Sequence, residues 1–414
     1  MAGVDEEPVP LNRAVVGWCL YDLANTIFAI NMTSYHFPVW IVADRGATEL
    51  MVGLAFSGSI LASALLMPWL GRRADRSGKK MPALIGWTLA CVLFTGSISG
   101  VKSIFLGLTL FALANFCYQL AGVFYNALLP MVTSVNWAGR ISGYGVALGY
   151  VGTLVGIFST APVVARWGRQ ASFLATGLLF LLFSLPCFLW VREPKREDQK
   201  PASTPLAYRP ATVDSRLLSR LLWACFWGLN AVSTVILFMS IYAKQAIGFT
   251  DAQLHRFLIT STLAAIVGAA GWGWLTDRIG SYRSLGWVWA AWAVVLGGAS
   301  LSLRPTLFWI LGSLAGVALG GTWVASRILI LDLVGSERVG EAFGKFGMVS
   351  RLAAVGGPLV WGLILWLGKP WGDLRYRVGM GTLLSFVLLG GWLYHRLGAG
   401  PDTAFRRSRD ETGF

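Results

Sequence analysis

Uninterrupted apolar runs recur from one end of this chain to the other, and no other property restricts its fold so severely. A run of about 18 or more apolar residues is what an α-helix needs to cross the hydrocarbon of a bilayer. Twelve such spans are predicted, over residues 14–43, 50–72, 80–100, 103–131, 139–166, 171–192, 216–245, 251–276, 282–302, 305–333, 338–367 and 374–397. Only 13% of the residues are charged, against about 25% in soluble domains, and the mean hydropathy is +0.62. The chain reads as a polytopic, all-α membrane protein.

Most connections are short. The exception is the charged, proline-rich stretch VREPKREDQKPASTPLAYRPATVDSR. It divides the chain into a six-span half (1–192), a linker (193–215), a second six-span half (216–397) and a tail (398–414). The net charge of +14 would suggest a nucleic-acid partner in a soluble protein. Here its distribution points to topology. With the N-terminus cytoplasmic, the cytoplasmic segments hold 22 Lys and Arg and the opposite side holds 10. That excess places both termini and the linker inside the cell, in what is expected to be a bacterial cytoplasmic (inner) membrane. The short acidic N-terminus lacks a basic n-region, so the first span is expected to remain in the membrane.

The halves repeat. Gly71-Arg-Arg-Ala-Asp75-Arg76-Ser-Gly78-Lys79-Lys80 follows span 2, and Gly273-Trp-Leu-Thr-Asp277-Arg278-Ile-Gly280 follows span 8. Gly71 to Gly273 and Asp75 to Asp277 are both 202 positions, as duplicated halves of a secondary transporter would place them.

The first of these loops matches the signature G-x-x-x-D-[RK]-x-G-[RK]-[RK] at every fixed position, so the chain resembles the major facilitator superfamily. The resemblance implies two pseudo-symmetric six-helix bundles around a central cavity. A finer resemblance is to the vacuole-effluxer-like family, the autophagy-linked vacuolar amino-acid effluxers and their bacterial relatives. Tyr21-Asp22-Leu-Ala-Asn25 with Phe37-Pro38-Val39 is similar to its first span. Tyr125-Asn126-Ala-Leu-Leu-Pro130, Gly139-Arg140-Ile-Ser-Gly143 and Ser326-Arg327 are similar to spans 4, 5 and 10. The chain departs from that family at Asn230, where an acid is usual, and at Trp323, where Gln is usual.

Four groups of residues carry the functional expectations. The gating loops are Gly71, Asp75, Arg76, Gly78 and Lys79 with Asp277 and Arg278. The resemblance sets Asp75 beside the start of span 11, where helix N–H groups stabilise a carboxylate. Arg72, Arg73 and Lys80 are candidates to pair with it or with anionic lipid. Asp22, Arg327 and Arg351 are charges within spans; Asp22 is nine residues past Arg13, about 13 Å along a helix. Groups so costly in lipid should face a cavity or a partner. Asp22 reads either as a fixed ion pair or as a carboxylate that binds a proton or a substrate amine. Polar cavity candidates are Tyr21, Asn25, Asn115, Tyr118, Gln119, Tyr125, Asn126, Asn230, Ser233 and Thr234, with Trp323 as a wall. Finally, Gly143, Gly145, Gly149, Gly152 and Gly156 let span 5 pack closely.

No Cys, His and carboxylate cluster has metal-ligand spacing, and no Walker motif or cofactor motif occurs, so neither a metal nor a cofactor is expected. The expected activity is secondary transport of a small polar solute, an amino acid or related zwitterion or organic anion. Alternating access would drive it in a functional monomer, with protons as the candidate coupling ion. Alternatives are a lipid, amphiphile or drug exporter of the same fold, and a non-transporting sensor or assembly factor. The partners implied are a small molecule and membrane lipid, not nucleic acid and not an enzyme's substrate.

Overall fold

The computed structural model describes residues 11–193, 215–301, 304–334 and 338–397. The tail and all but the ends of the linker lie outside these residues. Among those described are twelve helices long and apolar enough to span a membrane. In the first half they are α1 (Arg13–Asp44), α2 (Glu49–Ser77), α3 (Lys80–Gly100), α4 (Ile104–Ala127), α5 (Val135–Trp167) and α6 (Ala171–Trp190). In the second they are α7 (Arg216–Gln245), α8 (Ala252–Ile279), α9 (Ser281–Leu301), α10 (Pro305–Val334), α11 (Val339–Leu367) and α12 (Leu374–His395). Each agrees with an apolar run to within about one helical turn.

Local chemistry sets the ends. Asn12, Thr48 and Ser103 accept backbone N–H bonds from Val15, Met51 and Leu106, and Thr250 with Gln253 forms a full capping box. Gly78 closes α2 with φ of 66°, a left-handed conformation that glycine adopts without a Cβ penalty. The first helix is not uniform: Ala29–Tyr35 and Trp40–Asp44 widen to π-helical turns. Pro38 lacks an N–H and its ring crowds the carbonyl four residues earlier, at Ser34, which accounts for the widened turn before it.

Each bundle packs around its own aromatic core. Phe37 stacks on Phe111 at 4.1 Å in the first, and Phe257 on Phe308 at 4.9 Å in the second. The outer faces are apolar, as lipid requires: Leu65 and Phe105 are 75% and 79% exposed. The five cysteines are buried and unpaired, as small packing residues.

The bundles meet chiefly through α2 on α11 and α5 on α8, and glycines make the approach possible. A Cβ on Gly71 would run into the Gly340 carbonyl, and one on Gly344 into the Met67 backbone. On the other pair, a Cβ on Gly273 would lie 2.6 Å from the Gly139 carbonyl, and one on Gly143 2.6 Å from that of Ala269. All these contacts cluster at the end of the molecule that carries Asp75 and Asp277. Further along, the glycines of α5 turn to their own bundle: Gly152 lies against Leu23 and Gly156 against Ile27 and Ile30. The buried residues of α2 all fall between Ser59 and Ala74, and a Cβ on Gly53 or Gly58 would meet open space. The halves are closed at one end and parted at the other.

Candidate functional site

Two places bring predicted residues together: the middle of the bundle interface and its closed end. In the middle, Asp22 of α1 meets Arg327 of α10, with Oδ2 and Nη2 3.7 Å apart. The pair therefore joins the two bundles. Arg327 also donates from Nη1 to the Ser142 hydroxyl of α5 at 3.1 Å. Its guanidinium lies 5.2 Å from the Trp18 ring centre and 5.6 Å from that of Tyr125, within cation–π range. Trp18 and Tyr125 stack at 4.6 Å, and the Trp18 indole donates to the Tyr125 carbonyl at 3.1 Å. Gly145 and Gly149 make room for this cluster. A Cβ on Gly145 would stand 2.7 Å from the Trp18 ring, 3.3 Å from the Tyr125 hydroxyl and 3.4 Å from Asp22 Oδ2.

The cluster is under-satisfied. Asp22 Oδ2 and the hydroxyls of Tyr125 and Tyr150 are buried and complete no well-aligned hydrogen bond, although Tyr125 and Arg327 lie beside the carboxylate and Trp323 beside Tyr150. Arg351 of α11 likewise has a buried Nε with no partner and no ion pair to a described residue; Tyr118 is within electrostatic reach. Buried polar groups are nearly always paired, so such a concentration marks a place where a ligand or water belongs. With Asp22 and Arg327 cancelling, Arg351 leaves the centre one positive charge in excess.

The remaining candidates divide. Gln119 donates to Asn115, whose amide donates to Ser59, forming a chain from α4 to α2, while Gln119 Oε1 stays unpartnered. Asn25 and Asn126 each hold a buried oxygen without a donor. Trp323 packs with Val146, Ala147 and Tyr150 between the bundles. By contrast, Tyr21 is fully buried and bonds to Thr88 at 2.6 Å. Asn230 spends its amide on the Phe226 carbonyl and presses its oxygen toward Gly356, and Thr234 bonds back to Asn230. Tyr21 thus ties α1 to α3, whereas the bonds of Asn230 and Thr234 stay within α7, which packs there on Gly356 and Gly357 of α11.

At the closed end, Asp75 accepts N–H bonds from Gly340 and Glu341 at 2.9 and 2.8 Å, at the first turn of α11. The buried Lys80 ammonium sits 3.3 Å from the same carboxylate. Asp277 repeats the device on the other helix pair. It accepts from the N–H groups of Gly139 and Arg140 in α5 at 2.7 and 2.9 Å, with the Arg140 side chain 3.7 Å away. Glycine is the first donor both times, and a Cβ on Gly139 would strike the carboxylate. Arg72 crosses the same interface to Glu341 at 3.1 Å. Arg76 and Lys79 are exposed, and Arg278 stacks on Trp274 at 4.2 Å. Trp18, Ser142, Tyr150 and the donors Gly139 and Arg140 were not among the expected site residues.

Two bundles related by a repeat, clasped at one end around a polar centre, agree with the comparison of sequences. The family model described as Major Facilitator Superfamily matches residues 23–271 and 229–411. The chain belongs to that superfamily. It is an integral membrane transporter, not an enzyme. An uncharacterized protein of Aquifex aeolicus is 26% identical over 92% of this chain and 95% of its own. The uncharacterized MFS-type transporter YxiO of Bacillus subtilis is 25% identical, over 83% and 86%. A multi-drug resistance efflux pump PmrA homolog of Lactococcus lactis is 26% identical, over 83% and 84%. Among solved structures, the human organic anion transporter MFSD10 superposes with a TM-score of 0.72 at 16% identity, covering 92% of this chain and 98% of that one. At that identity the likeness establishes the fold alone.

Proposed function

We propose that this transporter carries a small polar solute, an amino acid or related zwitterion or organic anion, by alternating access in a bacterial cytoplasmic membrane. The observation that carries the reading is the Asp22–Arg327 pair. It bridges the two bundles, and at 3.7 Å the contact between Oδ2 and the guanidinium is too long for a well-formed hydrogen bond. Such a pair is suited to exchange partners with a solute: Arg327 and Arg351 for a carboxylate, Asp22 for an ammonium or a proton. The excess of basic residues on the side of Asp75 and Asp277 supports a cytoplasmic position for that end. In that orientation the conformation described here opens outward.

The resemblance of the first span to the vacuole-effluxer-like family supports an amino-acid-like solute. A second reading, an exporter of amphiphiles or drugs, is favoured by Trp18, Tyr150 and Trp323 around the centre and by the efflux relative. Excess positive charge weighs against lipophilic cations, and the unsatisfied polar groups weigh against a sensor that binds no solute.

A solute panel in proteoliposomes, with and without an imposed pH gradient, tests the proposal. Anionic or zwitterionic solutes should accumulate, and accumulation driven by the gradient should be lost in Asp22→Asn. Undiminished proton flux in that variant would remove Asp22 from coupling. Transport confined to lipophilic cations would overturn the substrate class.

A further inference from the structure

The internal repeat is broken at one place on the outside of the second bundle. In the first half the chain seats its own carboxylate at the start of α3: Glu193 Oε1 accepts the N–H groups of Lys80 and Met81 at 2.6 and 2.9 Å. The same 202-position offset that relates Asp75 to Asp277 relates Lys80 to Tyr282, Met81 to Arg283 and Glu193 to His395. The carboxylate has become an imidazole. Val191 to Glu193 run in non-helical conformation past the end of α6, whereas α12 continues as helix through His395.

What replaces the carboxylate is a tyrosine clasp with grooves beside it. Tyr282 and Tyr394 stack at 4.8 Å, and the Tyr394 hydroxyl donates to the Tyr282 carbonyl at 2.5 Å. Next to them, between α9 and α12, lies a groove of about 350 Å³ lined by Arg283, His395, Trp392 and the buried Trp289 together with alanine, valine and leucine. On the other flank of α12 a groove of about 440 Å³ is lined by Arg220, Trp223, Leu393 and Arg396. The Arg396 guanidinium lies 3.8 Å from the Trp392 ring centre and so bridges the two. Arg220, Arg396 and His395 have no carboxylate partner among the described residues.

We propose that these paired grooves bind an anionic phospholipid of the leaflet at the Asp75 and Asp277 end, with its phosphate between the arginines and its acyl chains along the apolar floors. Charge selects the occupant: Arg220 and Arg396 line one groove and His395 the other, where the other half supplies an acid. The position selects a lipid over free phosphate, because the walls are apolar and face outward, with Trp223 and Trp392 61% and 49% exposed. Tryptophan at this level is the usual marker of the membrane interface. The chain's own tail is a poorer fit, since residues 398–414 hold three arginines and three carboxylate side chains.

Native mass spectrometry of the full-length protein, released from micelles holding equal phosphatidylglycerol and phosphatidylcholine, tests this. Wild type should retain phosphatidylglycerol preferentially. At about 1 kcal/mol per basic residue near an anionic surface, Arg220→Ala/Arg396→Ala should weaken that retention about 30-fold. His395→Glu, which puts the acid of the first half in place of the imidazole, should weaken it as well. Arg13→Ala/Arg192→Ala, exposed at the same end of the other bundle, should leave it unchanged. Size-exclusion profiles and melting temperatures verify that each variant is folded. Equal retention of the two lipids by wild type, survival of the preference in Arg220→Ala/Arg396→Ala, or displacement by inorganic phosphate would overturn the proposal.

Discussion

Removing charge from the two closed-end carboxylates should open that end, and the structure says by how much and in which order. Only bonds that cross between bundles enter the balance between open and closed states. Asp75 crosses with two N–H bonds, to Gly340 and Glu341, while its ion pair with Lys80 stays within the first bundle. Asp277 crosses with two N–H bonds and with the Arg140 guanidinium as well. Asparagine keeps one acceptor oxygen in place of two and loses the charge. A charge-assisted hydrogen bond contributes about 1.5–3 kcal/mol and a neutral one about 1 kcal/mol. Asp75→Asn should therefore shift the equilibrium by about 2 kcal/mol, about 30-fold. Asp277→Asn should shift it by about 3 kcal/mol, about 150-fold, because a crossing ion pair goes too.

Since both carboxylates break in one transition, the double variant should combine the shifts to about 5 kcal/mol. Spin labels at Lys102 and Lys369, exposed and at the parted end of opposite bundles, report the separation by pulsed electron–electron resonance. The short-distance population should rise in the order Asp75→Asn, Asp277→Asn, double variant. Asp75→Asn should also lower the melting temperature, because it strands the buried Lys80 charge in either state. A larger shift for Asp75→Asn than for Asp277→Asn, or no shift in the double variant, would refute the reasoning that the crossing bonds hold this end closed.

Two further outcomes follow from the centre. Gly145→Ala should displace Trp18, 2.7 Å from the new Cβ, and raise the solute KM about tenfold or more by distorting the Asp22 and Tyr125 geometry; an unchanged KM would detach this cluster from the solute. Arg351→Gln removes a half-buried charge whose Nε has no partner, so the melting temperature should rise while affinity for anionic solutes falls; a fall in both would mean that Arg351 holds the fold instead.

The spans were legible because lipid imposes a length and a polarity on each helix, and the repeat was legible because Asp75 and Asp277 keep their spacing. The partners of Asp277 were not, since its donors are backbone N–H groups of Gly139 and Arg140, which no residue type announces. Their trace is glycine, and glycine is common in this chain. Trp18 was concealed among 20 tryptophans, although it lies one turn before Asp22 on the same face. Asn230 and Tyr21 show the converse problem. An amide or phenol in an apolar span signals a hydrogen bond, but only packing reveals that Phe226 and Thr88 consume it. The π-helical turns of α1 had one sequence cue, Pro38, and it does not specify how far the widening extends.

One helix ties the two places together. In α5, Gly139 and Arg140 hold Asp277 at the closed end, Ser142 holds Arg327, and Gly145 and Gly149 lie against Asp22 and Trp18. From Gly139 to Ser142 is about 4.5 Å along the axis and from Gly139 to Gly145 about 9 Å. A helix segment that short moves as a rigid rod. Because α5 packs on α1, a tilt of that bundle that frees Asp277 carries Ser142 and Asp22 together away from Arg327. Conversely, a solute that draws Arg327 off Asp22 pulls on the turn whose N–H groups hold the end shut. If Asp277 gates the closed end and the central pair exchanges during transport, α5 is the element through which the two should be coupled, and Ser142→Ala, which removes its bond to Arg327, should weaken that coupling.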